Sequence, residues 1–417
     1  MKNTWRRRAM ALACTAAATT LVLAGCSGDD DSDGGGGDNS ALLGEPKAAS
    51  GDPIEFVFNT TGDKAPAYTH ETEVGNATVS YINEYLGGIN GRPIKLTFCY
   101  DDIQAAKARE CANKAVGSKA VAVLGGSPSN PDSVTAVTSP AKMPYLVVVG
   151  GGQSTLTSPN TYALSNSVGA LLGQPAFIAK EKGIKKVAVL VIDAPLATMP
   201  FKALGGMVKA NAGVELEVIA VPPGTADMTP FVQTAVKSGA GQIHMVGDEP
   251  FCTPIFKAIG SLGVKLPITS LSNCVSEDAA KQIPGGYPAT DVMVSSNRDP
   301  ESEDYKLFKA VLSKYGVSAD QEDGFTAYWG ILSLQRALDG MTGEISRSTI
   351  IDRLNKMPEP VVMPMENGAT FQCGTKPVPM TPNVCSSNVL NAELKSDGSL
   401  GEVKSLDVTP FFKMPGQ

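Results

Sequence analysis

Two glycine-rich segments follow apolar runs and carry groups that suit an anion. The segment Gly125 to Asn130 follows the run Val121–Leu124, and Gly150 to Thr155 follows Pro144–Val149. Glycine lets the backbone approach a ligand closely, and N–H groups at a helix start attract a carboxylate. The alternative is that both are ordinary turns with helix caps. The candidate ligand contacts in these segments are Ser127, Ser129, Gly151, Gln153 and Ser154.

Acidic and amide side chains follow two later predicted strands. Asp248 and Glu249 come after one strand, and Asn273 comes after the next. A carboxylate in this position could bind an ammonium group, although solvation is the commoner fate of acidic loop residues. Tyr68, in a loop rich in threonine, glycine and proline, either packs over a ligand or covers its own loop. These four residues complete the set of candidate ligand contacts.

The motifs of common enzymes and metal sites are missing from the sequence. It contains no GxSxG, HExxH, GxxxxGK[ST] or CxxC pattern. His70 and His244 have no nucleophile beside them, and His244 lies in a strand-like run that is typical of a core histidine. We therefore expect a binding protein without catalytic residues, metal or cofactor; the alternative is a hydrolase in which the fold brings a serine and a histidine together.

The cysteines indicate disulfides. Of eight cysteines, Cys14 and Cys26 lie near the N-terminus, and the even count of the others favours disulfides in an exported chain. Many connectivities are open, and we predict the pairing of sequence neighbours because each pair fits one local unit. The predicted pairs are Cys99 with Cys111, Cys252 with Cys274, and Cys373 with Cys385.

The N-terminus has the layout of a secretory signal. Basic residues end at Arg8, and the uncharged stretch Ala9–Leu23 is short for a membrane span. The stretch leads into Leu23-Ala24-Gly25-Cys26, which resembles the lipobox of bacterial lipoproteins. The resemblance implies that residues 1–25 are removed and Cys26 carries lipid; an ordinary signal peptide is the alternative. The Arg triplet leaves open whether export is general secretory or twin-arginine.

The composition of the chain predicts a linker after the leader, and its net charge limits the possible partners. Residues 26–51 are small, polar and acidic, which predicts a flexible linker. The net charge is −7, and removing the four basic residues of the leader makes it −11. Nucleic acid is therefore disfavoured as a partner.

From residue 52 to about 297, short apolar strands alternate with helical segments, which predicts an α/β fold with parallel sheets. Right-handed crossovers favour two doubly wound lobes. The predicted strands are 53–58, 94–98, 121–124, 144–149, 187–192, 215–221, 242–246 and 267–271. The pattern becomes helical from Pro300, with terminal β-structure after Pro358.

At the turn Tyr85–Arg92, which contains Gly-Gly-Ile-Asn-Gly, and the strand that follows to Asp102, the sequence resembles a known family. It is similar to the type I periplasmic binding proteins, specifically the branched-chain amino-acid-binding group of ABC transporters. The resemblance extends from Ile54 to about Phe411. Some members carry a disulfide where Cys99 and Cys111 stand.

The resemblance implies two lobes with a ligand in the cleft between them. Lobe 1 would comprise 52–165 and 298–362, and lobe 2 would comprise 166–297 and 363–417, joined by three crossings. The two glycine-rich segments would hold a ligand carboxylate, and closure of the lobes would present the protein to an ABC permease. We expect a monomer tethered outside the cytoplasm by its lipid.

One departure from the family leaves the ligand open. Members often carry an aromatic residue after the strand 187–192, but the segment Asp193–Pro200 has none. A small organic solute other than an amino acid therefore remains an alternative. A sensor that presents ligand to a membrane partner is the alternative to a transporter subunit.

Overall fold

The computed structural model describes residues 40–62 and 70–414, which form two lobes around separate sheets. The predicted leader, Cys26, most of the linker and Tyr68 lie outside the described residues. Among the described helices, none is long and apolar enough to cross a membrane.

Strands occupy the apolar runs that the sequence places at regular intervals. In chain order they are β1 (Ile54–Thr60), β2 (Ile94–Tyr100), β3 (Ala122–Gly125), β4 (Tyr145–Val147), β5 (Thr161–Ala163), β6 (Lys186–Ile192), β7 (Glu215–Val221), β8 (Gln242–Val246), β9 (Ile268–Leu271), β10 (Thr290–Val294), β11 (Val361–Val362), β12 (Thr370–Phe371), β13 (Asn388–Leu394) and β14 (Leu400–Asp407).

Helices connect most of the parallel strands. They are α1 (Ser40–Leu43), α2 (Glu71–Tyr85), α3 (Ala105–Val116), α4 (Pro131–Thr138), α5 (Gln153–Thr157), α6 (Gln174–Glu181), α7 (Pro195–Ala212), α8 (Thr229–Lys237), α9 (Glu249–Ser261), α10 (Glu277–Ala280), α11 (Glu303–Lys314), α12 (Phe325–Leu338) and α13 (Arg347–Asn355). A π-helical turn at Gly169–Gly173 leads into α6.

The first lobe is built on a five-stranded sheet. Its order is β2-β1-β3-β4-β5, and all neighbours are parallel. Phe56 and Phe58 are buried on one face, and Val57 and Val123 on the other, because strands covered by helices on both faces are apolar throughout. Helix α12 returns from late in the chain and is buried around nearly its whole circumference, because apolar residues lie on all its faces.

The second lobe is built on a seven-stranded sheet. Its order is β14-β13-β10-β9-β8-β6-β7, parallel from β10 to β7 and antiparallel at β13 and β14. On β8, His244 is fully buried with Nδ1 2.9 Å from Thr269 Oγ1, and burial lowers its pKa to about 3. It is therefore a neutral core residue.

The third crossing lies later in the chain than the resemblance implies. Met363, Phe371 and Cys385 are buried in the same cluster as the core of the first sheet, and Val384 pairs with Ala163 of β5. This packing follows from the β11–β12 hairpin, which contacts α12. We therefore assign residues 363–385 to lobe 1, in place of the boundary at 362.

Several short elements differ from the sequence prediction. Helix α7 begins at Pro195, soon after the predicted strand 187–192; proline suits the first turn of a helix because it needs no N–H there. Helices α4 and α5 and strands β5 and β10 were not predicted, since short segments lack a full hydrophobic period.

Three disulfides join the cysteines that are neighbours in the sequence. Their Cα–Cα distances are 5.7 Å for Cys99–Cys111, 5.2 Å for Cys252–Cys274 and 4.3 Å for Cys373–Cys385. The second bond ties α9 to the segment that follows β9, so it links two of the segments that carry candidate ligand contacts.

Candidate ligand-binding site

Strand ends from both lobes line shared cavities. A cavity of about 230 Å³, here named the hinge cavity, is bounded by Val149 after β4 and by Leu271 and Val294 at the ends of β9 and β10. A larger one of about 1020 Å³, the outer cavity, is lined by Ser272 after β9 and by Phe325 of α12. The carboxyl ends of the two sheets therefore face a common space, where ligands bind in open α/β sheets.

The loop after β3 is held by a buried carboxylate. The backbone N–H of Ser127 donates to Glu71 Oε1 at 3.2 Å, and Thr326 Oγ1 donates to the same oxygen at 2.6 Å. Glu71 is only 1% exposed. Burial raises its pKa to about 7, and its hydrogen bonds oppose this rise in part.

Gly126 is required beside this carboxylate. A Cβ at this position would lie 1.8 Å from Glu71 Oε1 and 2.7 Å from Thr326 Oγ1. The glycine therefore permits the close approach of loop and carboxylate. Sequence reasoning missed Glu71 because an acidic residue in the first turn of a helix normally stays in solvent near the positive helix end.

The loop after β4 is held in a similar way. Asp132 Oδ1 accepts hydrogen bonds from Thr155 N at 2.8 Å and Thr155 Oγ1 at 2.7 Å. Gly152 has φ +85°, and a Cβ there would lie 2.3 Å from Asp132 Oδ2. The first turn of α5 therefore already donates a backbone hydrogen bond to a carboxylate of the protein, that of Asp132.

The candidate contacts of lobe 1 lie on these two loops. Ser129, Gly151 and Gln153 are exposed, whereas Ser127 and Ser154 are half-buried. The backbone N–H groups of Ser127 and Thr155 already donate hydrogen bonds to carboxylates of the protein. The hydroxyl and amide groups of the candidate residues are therefore the groups with which these loops can bind a ligand.

The candidate contacts of lobe 2 come together at the ends of β8 and β9, which are neighbours in the sheet. Asp248 caps α9 by accepting from Phe251 N at 3.0 Å. Glu249 Oε2 accepts from Ser276 Oγ at 2.7 Å, and Asn273 is exposed. Two carboxylates and an amide thus share one edge of the second sheet.

Two further groups near these edges were not predicted from the sequence. His70 Nδ1 lies 2.5 Å from Asp323 Oδ1, and this hydrogen bond raises the pKa of His70. The Arg298 guanidinium lies over the ring of Phe325 at 4.3 Å. Both pairs join residues distant in sequence, so no local pattern signals them.

The chain has two doubly wound lobes, and the carboxyl ends of their strands face a shared space. This is the architecture of a protein that binds a ligand between two lobes. A family model described as "Periplasmic binding protein" matches residues 57–379. The chain belongs to this family, which places it outside the cytoplasm and agrees with the expectation of a binder rather than an enzyme. No curated protein matches the chain significantly by sequence.

Solved structures show the same type I fold. The solute-binding protein of an ABC transporter from R. palustris, in complex with 4-hydroxybenzoate, is 20% identical with a TM-score of 0.64. The alignment covers 88% of this chain and 100% of that one. An ABC transporter substrate-binding protein from Desulfitobacterium hafniense, in complex with Leu, is 17% identical (TM-score 0.65; 85% and 100% covered). A fatty acid ABC transporter substrate-binding protein from Thermomonospora curvata is 14% identical (TM-score 0.60; 88% and 96% covered).

Proposed function

We propose that this chain is the substrate-binding lipoprotein of an ABC importer, and that it captures a small polar organic solute between its lobes. The observation that carries the proposal is that the ends of β4, β9 and β10 line one cavity, although they belong to two sheets. A ligand that touches both lobes favours their closed arrangement. An ABC permease is the partner for this closed form.

The proposed contacts come from both lobes. They are Tyr68, Ser127, Ser129, Gly151, Gln153, Ser154, Asp248, Glu249 and Asn273. Lobe 1 supplies mostly hydroxyl and amide groups, since Glu71 and Asp132 already accept from the loop N–H groups. Lobe 2 supplies carboxylates. This balance suits an amino acid or a related amide, whose ammonium or amide N–H groups face lobe 2.

The lipid anchor is proposed from the sequence Leu23-Ala24-Gly25-Cys26. Changing Cys26→Ser removes the thiol to which lipid would be attached. We expect the variant to leave the membrane fraction, while its fold and ligand binding are unchanged. A variant that stays with the membrane would contradict the anchor without affecting the binding function.

A ligand screen tests the binding function. Amino acids, small carboxylates and amides are screened by thermal shift, with leucine and 4-hydroxybenzoate as named probes. A ligand at 100 times its Kd adds about 2.7 kcal/mol to the unfolding free energy, so a true ligand raises the melting temperature. Small-angle scattering then measures the radius of gyration with and without ligand.

The outcomes separate the parts of the proposal. Stabilisation with a smaller radius of gyration supports capture by closure. Stabilisation without compaction contradicts hinge closure but leaves binding in place. If none of these compounds stabilises the protein, the proposed class of ligand is wrong.

A further inference from the structure

One turn of lobe 1 is bonded to lobe 2. It comprises Met365–Gly368, between β11 and β12, and is here named the hinge turn. Asn367 Nδ2 donates to the backbone oxygen of Val403 on β14, in lobe 2, at 2.7 Å. The N–H of Asn297, where the chain passes from lobe 2 back to lobe 1 (the second crossing), donates to Met365 O at 2.6 Å. A change in the arrangement of the lobes therefore acts on this turn.

The backbone of the hinge turn is strained. The angle φ is +59° at Met365, +50° at Asn367 and +75° at Gly368. Residues other than glycine rarely adopt positive φ, and such conformations persist where the surrounding structure imposes them, often in switch regions. Here the two bonds to the second crossing and β14 impose them, together with Asp304 Oδ2, which accepts from Met365 N at 3.3 Å. The turn can therefore relax when these contacts change.

The hinge turn places a carboxyl group between the lobes. Glu366 lines the hinge cavity and is only 6% exposed. Its carboxyl group forms no hydrogen bond or ion pair with any residue that the structure describes. Burial is the cause that raises its pKa well above the usual range. Carboxyl groups are almost never fully buried without a partner, so this one points to a role beyond packing.

The charged groups on the elements around the hinge turn are engaged elsewhere. Asp304 of α11 binds the backbone N–H of Met365. The Arg298 guanidinium, beside the second crossing, lies over an aromatic ring. On β14, Lys404 Nζ lies 3.9 Å from Glu402 Oε2. No charged residue other than Glu366 is found among the described residues that line the hinge cavity.

Ionisation of Glu366 is therefore unfavourable in the present arrangement of the lobes. A carboxylate in this position would lose most of its hydration without gaining a positive partner. An arrangement that admits water to the hinge cavity removes this cost. The proton on Glu366 and the arrangement of the lobes are thus linked, and each affects the equilibrium of the other.

We propose that Glu366 is a proton-operated switch of the lobe arrangement: the protonated carboxyl group favours the arrangement described here, and its ionisation favours one in which the hinge cavity is open to water. The proton passes to water, so the step needs no other reactant. The pKa of Glu366 is higher in the present arrangement than in the open one. The present arrangement is therefore favoured at low pH and is lost as the pH rises. Because one proton is involved, the ratio of open to present molecules rises by at most about tenfold per pH unit.

The test needs no solute. The chain without residues 1–25 is measured by small-angle scattering at pH 5, 6, 7, 8 and 9, and circular dichroism monitors its helix content. We expect the radius of gyration to increase with pH along a one-proton curve at constant helix content. Glu366→Gln keeps the size of the side chain without its charge. The radius of this variant should stay at the low-pH value of the parent chain throughout.

A second variant acts on the bond between the lobes. Asn367→Ala removes the hydrogen bond to Val403, which favours the open arrangement about three- to tenfold. The midpoint of the change in radius should then move to lower pH by about 0.5 to 1 unit. This variant decides the matter if Glu366→Gln does not fold, and an unchanged midpoint would count against the switch.

Two other carboxyl groups provide matched controls. Glu71 is also buried and its pKa is also raised, to about 7, but its partners Ser127 and Thr326 both lie in lobe 1. Glu71→Gln should therefore keep the change in radius. Glu359→Gln, at an exposed position shortly before β11, should keep it too.

The proposal is overturned if the radius of the parent chain is constant from pH 5 to 9, or if Glu366→Gln shows the same change as the parent chain. Loss of the change in Glu71→Gln would assign the switch to that residue instead. Since the measurements are made without solute, a failed ligand screen for the proposed function leaves their result unaffected.

Discussion

The backbone N–H of Ser127 donates to the carboxylate of Glu71 at 3.2 Å, which ties the start of α2 to the loop after β3. The loop is thereby fixed before any ligand arrives. The same contact gives the protein a buried ionisable group whose protonation is linked to folding.

Glu71→Gln should change how stability depends on pH. The pKa of Glu71 is about 7 in the folded protein and near 4.5 when exposed. Its contribution to stability is therefore present below pH 4.5 and is lost as the pH rises through 7, by at most about 3 kcal/mol. Glutamine keeps the acceptor without the charge, so the variant should lack this loss. Urea unfolding at pH 5, 6, 7 and 8 measures the difference.

The control for this experiment is Glu110→Gln. Glu110 is exposed on α3, and its hydrogen bond to Lys114 lowers its pKa, so it stays charged across this range. Its substitution should leave the slope of stability against pH unchanged. Parallel profiles for the parent chain and Glu71→Gln would contradict the assignment.

Gly126→Ala should destabilise the first lobe. The new methyl group would overlap Glu71 Oε1, and overpacking of this kind costs about 1–3 kcal/mol. Gly151→Ala is a matched control because a Cβ there meets nothing within 4 Å, and it should cost less than about 0.5 kcal/mol. Both are measured by urea unfolding. In a Glu71→Ala background, Gly126→Ala should cost less, and an additive result would disprove the contact.

Asp248 has two roles that substitution separates. It caps α9, and it is a proposed partner of a ligand ammonium group. Asp248→Asn keeps the cap, so stability should stay within about 0.5 kcal/mol, whereas Asp248→Ala should lose about 1 kcal/mol. If leucine is a ligand, both variants should weaken its binding about tenfold in calorimetry. Full affinity in Asp248→Asn would remove this residue from the site.

The Cys252–Cys274 disulfide joins α9 to the segment after β9, and its two cysteines are 22 positions apart in the sequence. Replacing both cysteines with alanine should lower the unfolding free energy by about 3 kcal/mol and weaken ligand binding, because Asp248 and Asn273 are then held less firmly. The matched double variant at Cys99 and Cys111 should lose stability but keep affinity. Equal affinity in both variants would show that the second bond has no role in the site.

The sequence by itself determined the class of fold, because the signals are local. A strand such as β7 is predicted with its true bounds, Glu215–Val221, from alternation and length alone. The pairing of neighbouring cysteines and the core position of His244 also follow from local pattern. Short elements such as α5 were missed since five residues show no complete period.

Only the tertiary structure decided which side chains meet at the site. Glu71 is 56 residues from Ser127 and 255 from Thr326 in sequence, so no spacing predicts that all three meet. Trp329, Asn166 and Glu366 likewise line one cavity although they are far apart in the sequence. The spacing of apolar residues within a segment determines whether that segment forms a helix or a strand. The contacts described above depend instead on how distant elements pack against each other, and no local pattern encodes that packing.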